Sequence, residues 1–167
     1  MLTRVGRFRM RVLGLMLAFG CAGGPTDAPI PTQPDSGVLS DLLPVAVEAP
    51  GQIRLDSLLQ LRVAVHNGGV RTAGPGWFVR LFLSSDSVIT AEDILIDQFV
   101  ASRELQPGAD DRYLRTMKLP GRTPPASYYL GAVLDVTAVV PELDEGNNAL
   151  RSPRTIIILP RTPSGDS

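Results

Sequence analysis

Apolar and polar residues alternate along most of this chain, and no stretch sustains a helical period. Leu59, Leu61, Val63 and Val65 interleave with Gln60, Arg62, Ala64 and His66, the period of two expected of a half-buried strand. Asn67-Gly68-Gly69 follows at once and predicts a turn. Trp77, Val79, Leu81 and Leu83 alternate in the same way with Phe78, Arg80, Phe82 and Ser84. Residues 94–100 and 113–119 predict two further strands, with the turn signal Gln106-Pro107-Gly108 between them. Residues 128–134 are apolar on both faces, as a central strand should be. Residues 155–159 are β-branched and end the domain, while residues 41–47 begin it, with Pro44 marking an edge position. About seven strands with turns between them and no crossover helix predict an all-β fold, an immunoglobulin-like antiparallel β-sandwich.

The N-terminus departs from this alternation. Arg4, Arg7, Arg9 and Arg11 precede an apolar run over residues 12–19, which stops at Gly20-Cys21. A basic segment, a short apolar segment and a small residue at the cut site predict a secretory signal. The run is too short to span a bilayer, which takes ~20 apolar residues. Cys21 is the single cysteine of the chain. Its place after a small residue resembles the lipobox of bacterial lipoproteins. That resemblance implies cleavage after Gly20 and a lipid anchor on the Cys21 thiol. Ala22 in place of Asp implies sorting to the outer membrane, where the cell has one. Pro25, Pro29, Pro31 and Pro34 then stand among Gly, Thr, Asp and Ser, a composition too polar to collapse and suited to an extended tether. The expected organisation is a signal peptide at 1–20, a lipid-anchored tether at 21–40, one domain at 41–159 and a frayed tail at 160–167.

Composition and charge narrow the partners. A core of ~120 residues is long enough to bury about two-thirds of its unfolded surface. It must do so without an intramolecular disulfide, since one cysteine cannot make one. Four of the 16 basic residues lie in the leader and none of the 17 acidic ones, so 12 face 17 in the remainder, a net of −5. That mild acidity argues against nucleic acid and against anionic lipid surfaces as partners.

Four blocks carry a family resemblance. Residues 61–69 read Leu-Arg-Val-Ala-Val-His-Asn-Gly-Gly; residues 79–86, followed by Asp93-Ile94-Leu95-Ile96, form the second block. Tyr128-Tyr129-Leu130-Gly131-Ala132-Val133-Leu134-Asp135 is the third. Val140-Pro141-Glu142-Leu143-Asp144-Glu145-Gly146-Asn147-Asn148 is the fourth and strongest. In order and spacing they resemble the bacterial cell-adhesion-related domain, CARDB. The resemblance implies an Ig-like sandwich, an extracytoplasmic location and an adhesive or binding role without catalysis.

Several groups of residues invite a chemical role. Glu142, Asp144 and Glu145, with Asn147 and Asn148, crowd oxygen atoms into one loop, and calcium takes six to eight oxygens. The competing and stronger reading is structural: Asn147 and Asn148 bond loop backbone, at least one of them buried, and fix the approach to the last strand. Ser84, Ser85, Asp86, Thr90, Glu92 and Asp93 form a second polar loop, better suited to capping a turn than to metal. Phe78, Arg80 and Phe82 fall opposite the core-facing set of their strand, so they form either an exposed binding patch or a surface covered by the 84–93 loop. His66, the single histidine, lacks the partners that zinc or a catalytic triad needs. No cofactor is expected, calcium being the one open alternative.

The resulting expectation is a lipid-anchored, extracytoplasmic, non-catalytic binding or adhesion module whose partner is a protein or carbohydrate of the cell envelope. Two alternatives stand beside it: a calcium-stabilised structural module, and a small hydrolase using a carboxylate pair such as Asp144 and Glu145. The second is disfavoured because the chain offers no nucleophile–base set.

Overall fold

A computed structural model describes residues 38–163. The residues for which a signal peptide, a Cys21 lipid anchor and most of a tether are expected lie outside the described residues, as does the end of the expected tail. Eight strands follow one another: β1 (Leu42–Glu48), β2 (Gln52–Arg54), β3 (Leu58–Asn67), β4 (Phe78–Ser84), β5 (Ile94–Val100), β6 (Asp110–Lys118), β7 (Ser127–Leu134) and β8 (Ala149–Leu159). They form two sheets, β1-β3-β6 and β2-β8-β7-β4-β5. The chain is thus the all-β, Ig-like sandwich its alternation predicts.

The core comes from the inward positions of that alternation. Leu59, Leu61, Val63 and Val65 on β3 face Val79, Leu81 and Leu83 on β4 and Leu130, Ala132 and Leu134 on β7, all of them buried. Trp77 is fully buried just ahead of β4. Each buried Leu or Val contributes about 1.5–3 kcal/mol of transfer free energy. β7 is the middle strand of its sheet, which explains why both of its faces are apolar. Pro44 lies on β1, at the edge of the smaller sheet, beside a register shift between Pro44 and Ala46.

Two features differ from the sequence expectation. β2 is an added strand of three residues, and it pairs parallel to β8, so the sandwich is not wholly antiparallel. One apolar residue, Ile53, is too little pattern to reveal it. β8 begins at Ala149 rather than 155. Pro153 and the polar residues around it hide the first half of the strand. There the register shifts opposite Tyr129 and Gly131. The Ser152 hydroxyl takes the place of a ladder carbonyl, accepting the Leu130 N–H at 3.0 Å and donating to the Arg154 carbonyl at 2.7 Å. A proline is tolerated at such an irregularity because no ladder bond is asked of it.

The sheets are tied along one side through their edge strands. Arg115 on β6 bonds Asp97 on β5 at 2.7 Å and lies over the Phe99 ring at 4.5 Å. Phe99 in turn packs on Tyr113 with ring centroids 5.0 Å apart. Charged, inward-leaning side chains of this kind also discourage edge-to-edge pairing with other chains.

Candidate functional site

The loop that the sequence singles out, 139–148, closes one end of the sandwich against the start of β1. Glu142 forms a parallel bridge with Ser40. Its carboxylate is buried, only 6% exposed. Oε2 accepts the Leu42 N–H at 2.8 Å, and Oε1 accepts from Asn148 Nδ2 at 3.2 Å. The Leu143 N–H donates to the Ser40 carbonyl at 2.9 Å, and Ser40 Oγ donates to the Pro141 carbonyl at 3.2 Å. Asn147 Nδ2 reaches Asp41 Oδ1 at 2.9 Å. The loop therefore stitches the first residues of the domain to the residues that precede its last strand.

Two further buried side chains, not predicted as sites, complete this seam. Asn67 ends β3 and is fully buried. Its Oδ1 accepts the N–H groups of Asp41 and Gly69, each at 3.1 Å, while Nδ2 donates to the carbonyls of Arg71 at 2.7 Å and Leu105 at 2.8 Å. Gly69 passes so close to Leu39 and Ser40 that a Cβ there would strike their backbone. Asp135, at a positive φ of 38°, accepts the N–H groups of Val139 at 3.0 Å and Val140 at 2.7 Å. The sequence signal for Asn67 was the Asn-Gly-Gly after an alternating strand, which reads as a turn; its reach to three separate segments is a tertiary fact.

The electrostatics of Glu142 follow from this packing. Burial is the largest influence and raises its pKa; the Leu42 N–H and the Asn148 amide pull it back, while Glu145 and Asp135 add repulsion. The outcome is a carboxyl raised from 4.5 to about 7. The Oδ1 atoms of Asn147 and Asn148 are buried without a partner. Protonated Glu142 can donate to Asn148 Oδ1 once that amide turns over, which satisfies one of the two.

This geometry speaks against the weaker, calcium reading of the loop and revises one detail of the structural reading. Glu142, Asp144 and Glu145 do not converge as calcium ligands. Asp144 and Glu145 are exposed and turn onto their own loop, Asp144 Oδ1 accepting the Gly146 N–H at 2.8 Å and Glu145 Oε1 the Glu142 N–H at 3.2 Å. Among the described residues no three His, Cys, Asp or Glu side chains are grouped to hold a metal ion. Asn148 is buried, as expected of at least one of the pair. However, the side chains of Asn147 and Asn148 donate to carboxylates rather than to loop backbone.

Of the two readings of Phe78, Arg80 and Phe82, an exposed patch or a surface covered by the 84–93 loop, the second fits the structure. Phe82 is only 5% exposed, Phe78 is half-buried and Arg80 Nε donates to Gln98 Oε1 at 2.7 Å. The covering comes from the 84–93 loop. Phe82 pairs with Gly131 on β7, and the Ile89 side chain sits over Gly131 so closely that a Cβ there would meet it at 2.5 Å. Asp86 and Asp93 hold the loop in this fold, accepting the N–H groups of Val88 at 2.8 Å and Thr90 at 2.7 Å. The outer face of the five-stranded sheet is thus sealed around its centre.

The outer face of β1-β3-β6 is open. Register aligns Ala46, Ala64 and Arg112 in one cross-strand row and Glu48, Arg62 and Leu114 in the next. The small alanines leave a depression of about 550 Å³ between β1 and β6, bordered by Val45, Glu48, Arg62, Asp110, Arg112, Tyr113 and Leu114. A second depression, about 300 Å³, lies on the other side of the Glu48–Arg62–Leu114 row. Val45 and Leu114 are 50% and 63% exposed. His66 Nδ1 and Asp110 Oδ1 pair at 2.7 Å at one end, so the histidine is engaged by a carboxylate rather than simply solvated.

The CARDB family profile matches residues 39–152. The chain belongs to the CARDB family. The crystal structure of the CARDB domain of the PF1109 protein from Pyrococcus furiosus, in complex with di-metal ions, is 19% identical, covers 72% of this chain and 90% of that one, and superposes with a TM-score of 0.54. The solution structure of the same domain is 20% identical over 73% of this chain and 97% of that one, with a TM-score of 0.53. A domain of a Methanosarcina acetivorans protein, designated a cell-surface protein, is 20% identical over 73% of this chain and 94% of that one, with a TM-score of 0.55. At these identities the likeness is one of fold. No curated protein matches the chain. Within the CARDB blocks, the polar residues Asn67, Asp135, Glu142 and Asn148 are all buried in hydrogen bonds of the end seam. The blocks that carry the resemblance therefore describe how the domain is held together.

Proposed function

We propose that this CARDB chain is a lipid-anchored, extracytoplasmic binding module of adhesion type that performs no catalysis. One observation carries the reading: Asn67, Asp135, Glu142 and Asn148 of the CARDB blocks are spent inside the domain, while among the described residues the outer face of β1-β3-β6 is left uncovered. A fold organised in this way presents a surface rather than a reactive set. His66 is tied to Asp110 on the open face. The partner class is a protein or carbohydrate of the cell envelope. Attachment is through Cys21 and the proline-rich tether; among the described residues no helix is long and apolar enough to cross a membrane.

The test is fractionation of cells expressing the full chain. Wild type is expected in the membrane fraction after a high-salt wash, and Cys21→Ser in the soluble extracytoplasmic fraction. A Cys21→Ser protein that still sediments with membranes overturns the anchor. Failure of the purified chain to capture any envelope component, protein or glycan, overturns the binding role.

A further inference from the structure

The first residues of the domain reach the end seam as a strand edge. Asp41 turns its backbone toward β3, its N–H donating to Asn67 Oδ1 at 3.1 Å and its carbonyl accepting the Gly68 N–H at 2.8 Å. Ser40 and Leu42 therefore turn theirs the other way, to the side of β1 where no strand pairs among the described residues. What covers them is the segment 141–147. The Leu143 N–H donates to the Ser40 carbonyl, and the Glu142 carboxyl accepts the Leu42 N–H. Pro44, the next residue on that side, has no N–H to offer. The start of β1 is thus closed by a strap and a proline, two of the devices that keep a strand edge from pairing.

The strap has firm ends and a loose middle. Before it, Asp135 holds the N–H groups of Val139 and Val140; after it, the Asn148 carbonyl accepts the Leu134 N–H at 2.8 Å. In between, Pro141, Leu143, Asp144, Glu145 and Gly146 are exposed, and Glu142 is buried. Asp144 and Glu145 spend their bonds within the strap, so Glu142 is the side chain that fastens its middle to β1. The charges around that carboxyl are negative. Glu145 of the strap and Asp135 at the end of β7 repel it, Asp41 of the N-terminal segment is held by Asn147, and Asp144 is turned to Gly146. Arg71, from the turn after β3, borders a separate depression beside Ser40 and Pro141 and makes no ion pair among the described residues. A buried carboxylate without a cation is costly, whereas a buried carboxyl that keeps its proton is tolerated.

We propose that residues 141–147 are a proton-latched strap: with Glu142 protonated it lies closed on residues 40–42, and with the proton released to solvent it lifts, carries the carboxylate into water and bares the edge of β1. The two sheets need not move. Closed, the carboxyl titrates near 7; open, it returns to the ordinary 4.5. Closure is therefore fully favoured below 4.5 and weakens as pH rises toward 7. The opening constant rises about tenfold per pH unit across that interval and then levels off, roughly fifty- to hundredfold in all between pH 5 and pH 8. The strap works in this way whatever the domain binds, so it goes beyond the binding-module reading and does not rest on it.

The test is amide hydrogen exchange, followed by NMR on the purified full chain at pH 5 and pH 8 and corrected for intrinsic rates. The Leu42 and Leu143 N–H groups are expected to lose roughly fiftyfold or more of their protection between the two. Their exchange should not respond to low urea, since a strap exposes little surface when it lifts. Amides in the middle of β4 should stay far better protected and respond to urea, because they open only with the whole domain. Glu142→Gln cannot ionise and should abolish the pH dependence at Leu42 and Leu143. Asp144→Asn, which removes an exposed carboxylate of the same strap, should leave it within twofold of wild type. Leu42 and Leu143 amides that share the protection and urea response of β4 would mean that only global unfolding frees Glu142, and would overturn the strap. Protection that holds or rises from pH 5 to pH 8 overturns it too, as does a pH dependence that survives Glu142→Gln or vanishes in Asp144→Asn.

Discussion

The two outer faces of this sandwich are built from similar alternating strands and end up with opposite fates. On the five-stranded sheet the 84–93 loop folds back, Ile89 settles over Gly131, and Phe82 is buried as completely as a core residue. On the three-stranded sheet nothing among the described residues folds back, and the alanine row leaves a trough. The difference lies in the connections and not in the strands. A strand's pattern decides which side chains face outward; only the loops decide whether outward means exposed. The end seam extends the contrast, because its polar residues are turned inward to pair backbone groups that burial would otherwise leave unsatisfied.

The sharpest way to break the comparison is to remove a buried staple. Asn67→Ala deletes four hydrogen bonds to three segments and strands their backbone groups. It is expected to destabilise the domain by about 3–4 kcal/mol, at roughly 1 kcal/mol per bond and more where a group stays buried. Urea unfolding of the variant checks this. Next in size, Phe82→Ala should cost about 3 kcal/mol, as large-to-small changes in a packed core do. Phe78→Ala, half-buried, should cost about 1 kcal/mol. Equal and small effects of the two would return Phe82 to the surface.

A pH series sharpens the seam itself. In the folded state Glu142 is raised to about 7 against an ordinary 4.5, so the folded chain holds a proton that the unfolded chain releases. The stabilisation is fully present below 4.5 and is lost as pH rises through 7. At ~1.4 kcal/mol per pKa unit, this one group should make the domain about 2–3 kcal/mol more stable at pH 5 than at pH 8. Glu142→Gln keeps an acceptor for the Leu42 N–H and offers Asn148 Oδ1 a donor. It should fold well and flatten that pH dependence. A wild-type domain whose stability does not fall between pH 5 and 8 would contradict a Glu142 that is held protonated in the folded state.

Much of this was legible in the residues. The alternation at 59–66, 77–84 and 94–100 placed the strands, and the apolar run at 128–134 placed the middle of the larger sheet. β2 escaped because three residues hold no period. Phe82 was read from its own strand, whereas its burial depends on Ile89, seven residues on and across a turn, and on the absence of a side chain at Gly131. The 142–148 oxygens invited a calcium reading because sequence shows which groups are near in the chain. It does not show that the Leu42 N–H, from the other end of the domain, already occupies Glu142. The trough was hidden for a similar reason: Ala46, Ala64 and Arg112 line up only through the register of three strands.

The smallest expected effect belongs to the open face, and it anchors the most direct test. Leu114 is 63% exposed in a row with Arg62, whereas Glu142 is buried at the seam. Urea unfolding of Leu114→Ser and Glu142→Ala, side by side at pH 6, separates the two regions. The account predicts a change of less than about 0.5 kcal/mol for Leu114→Ser, as for other exposed positions. It predicts a loss of about 2–3 kcal/mol for Glu142→Ala, which leaves the Leu42 N–H and the Asn148 amide buried and unpaired. Comparable losses in the two variants, or a Glu142→Ala domain that unfolds like wild type, would contradict it.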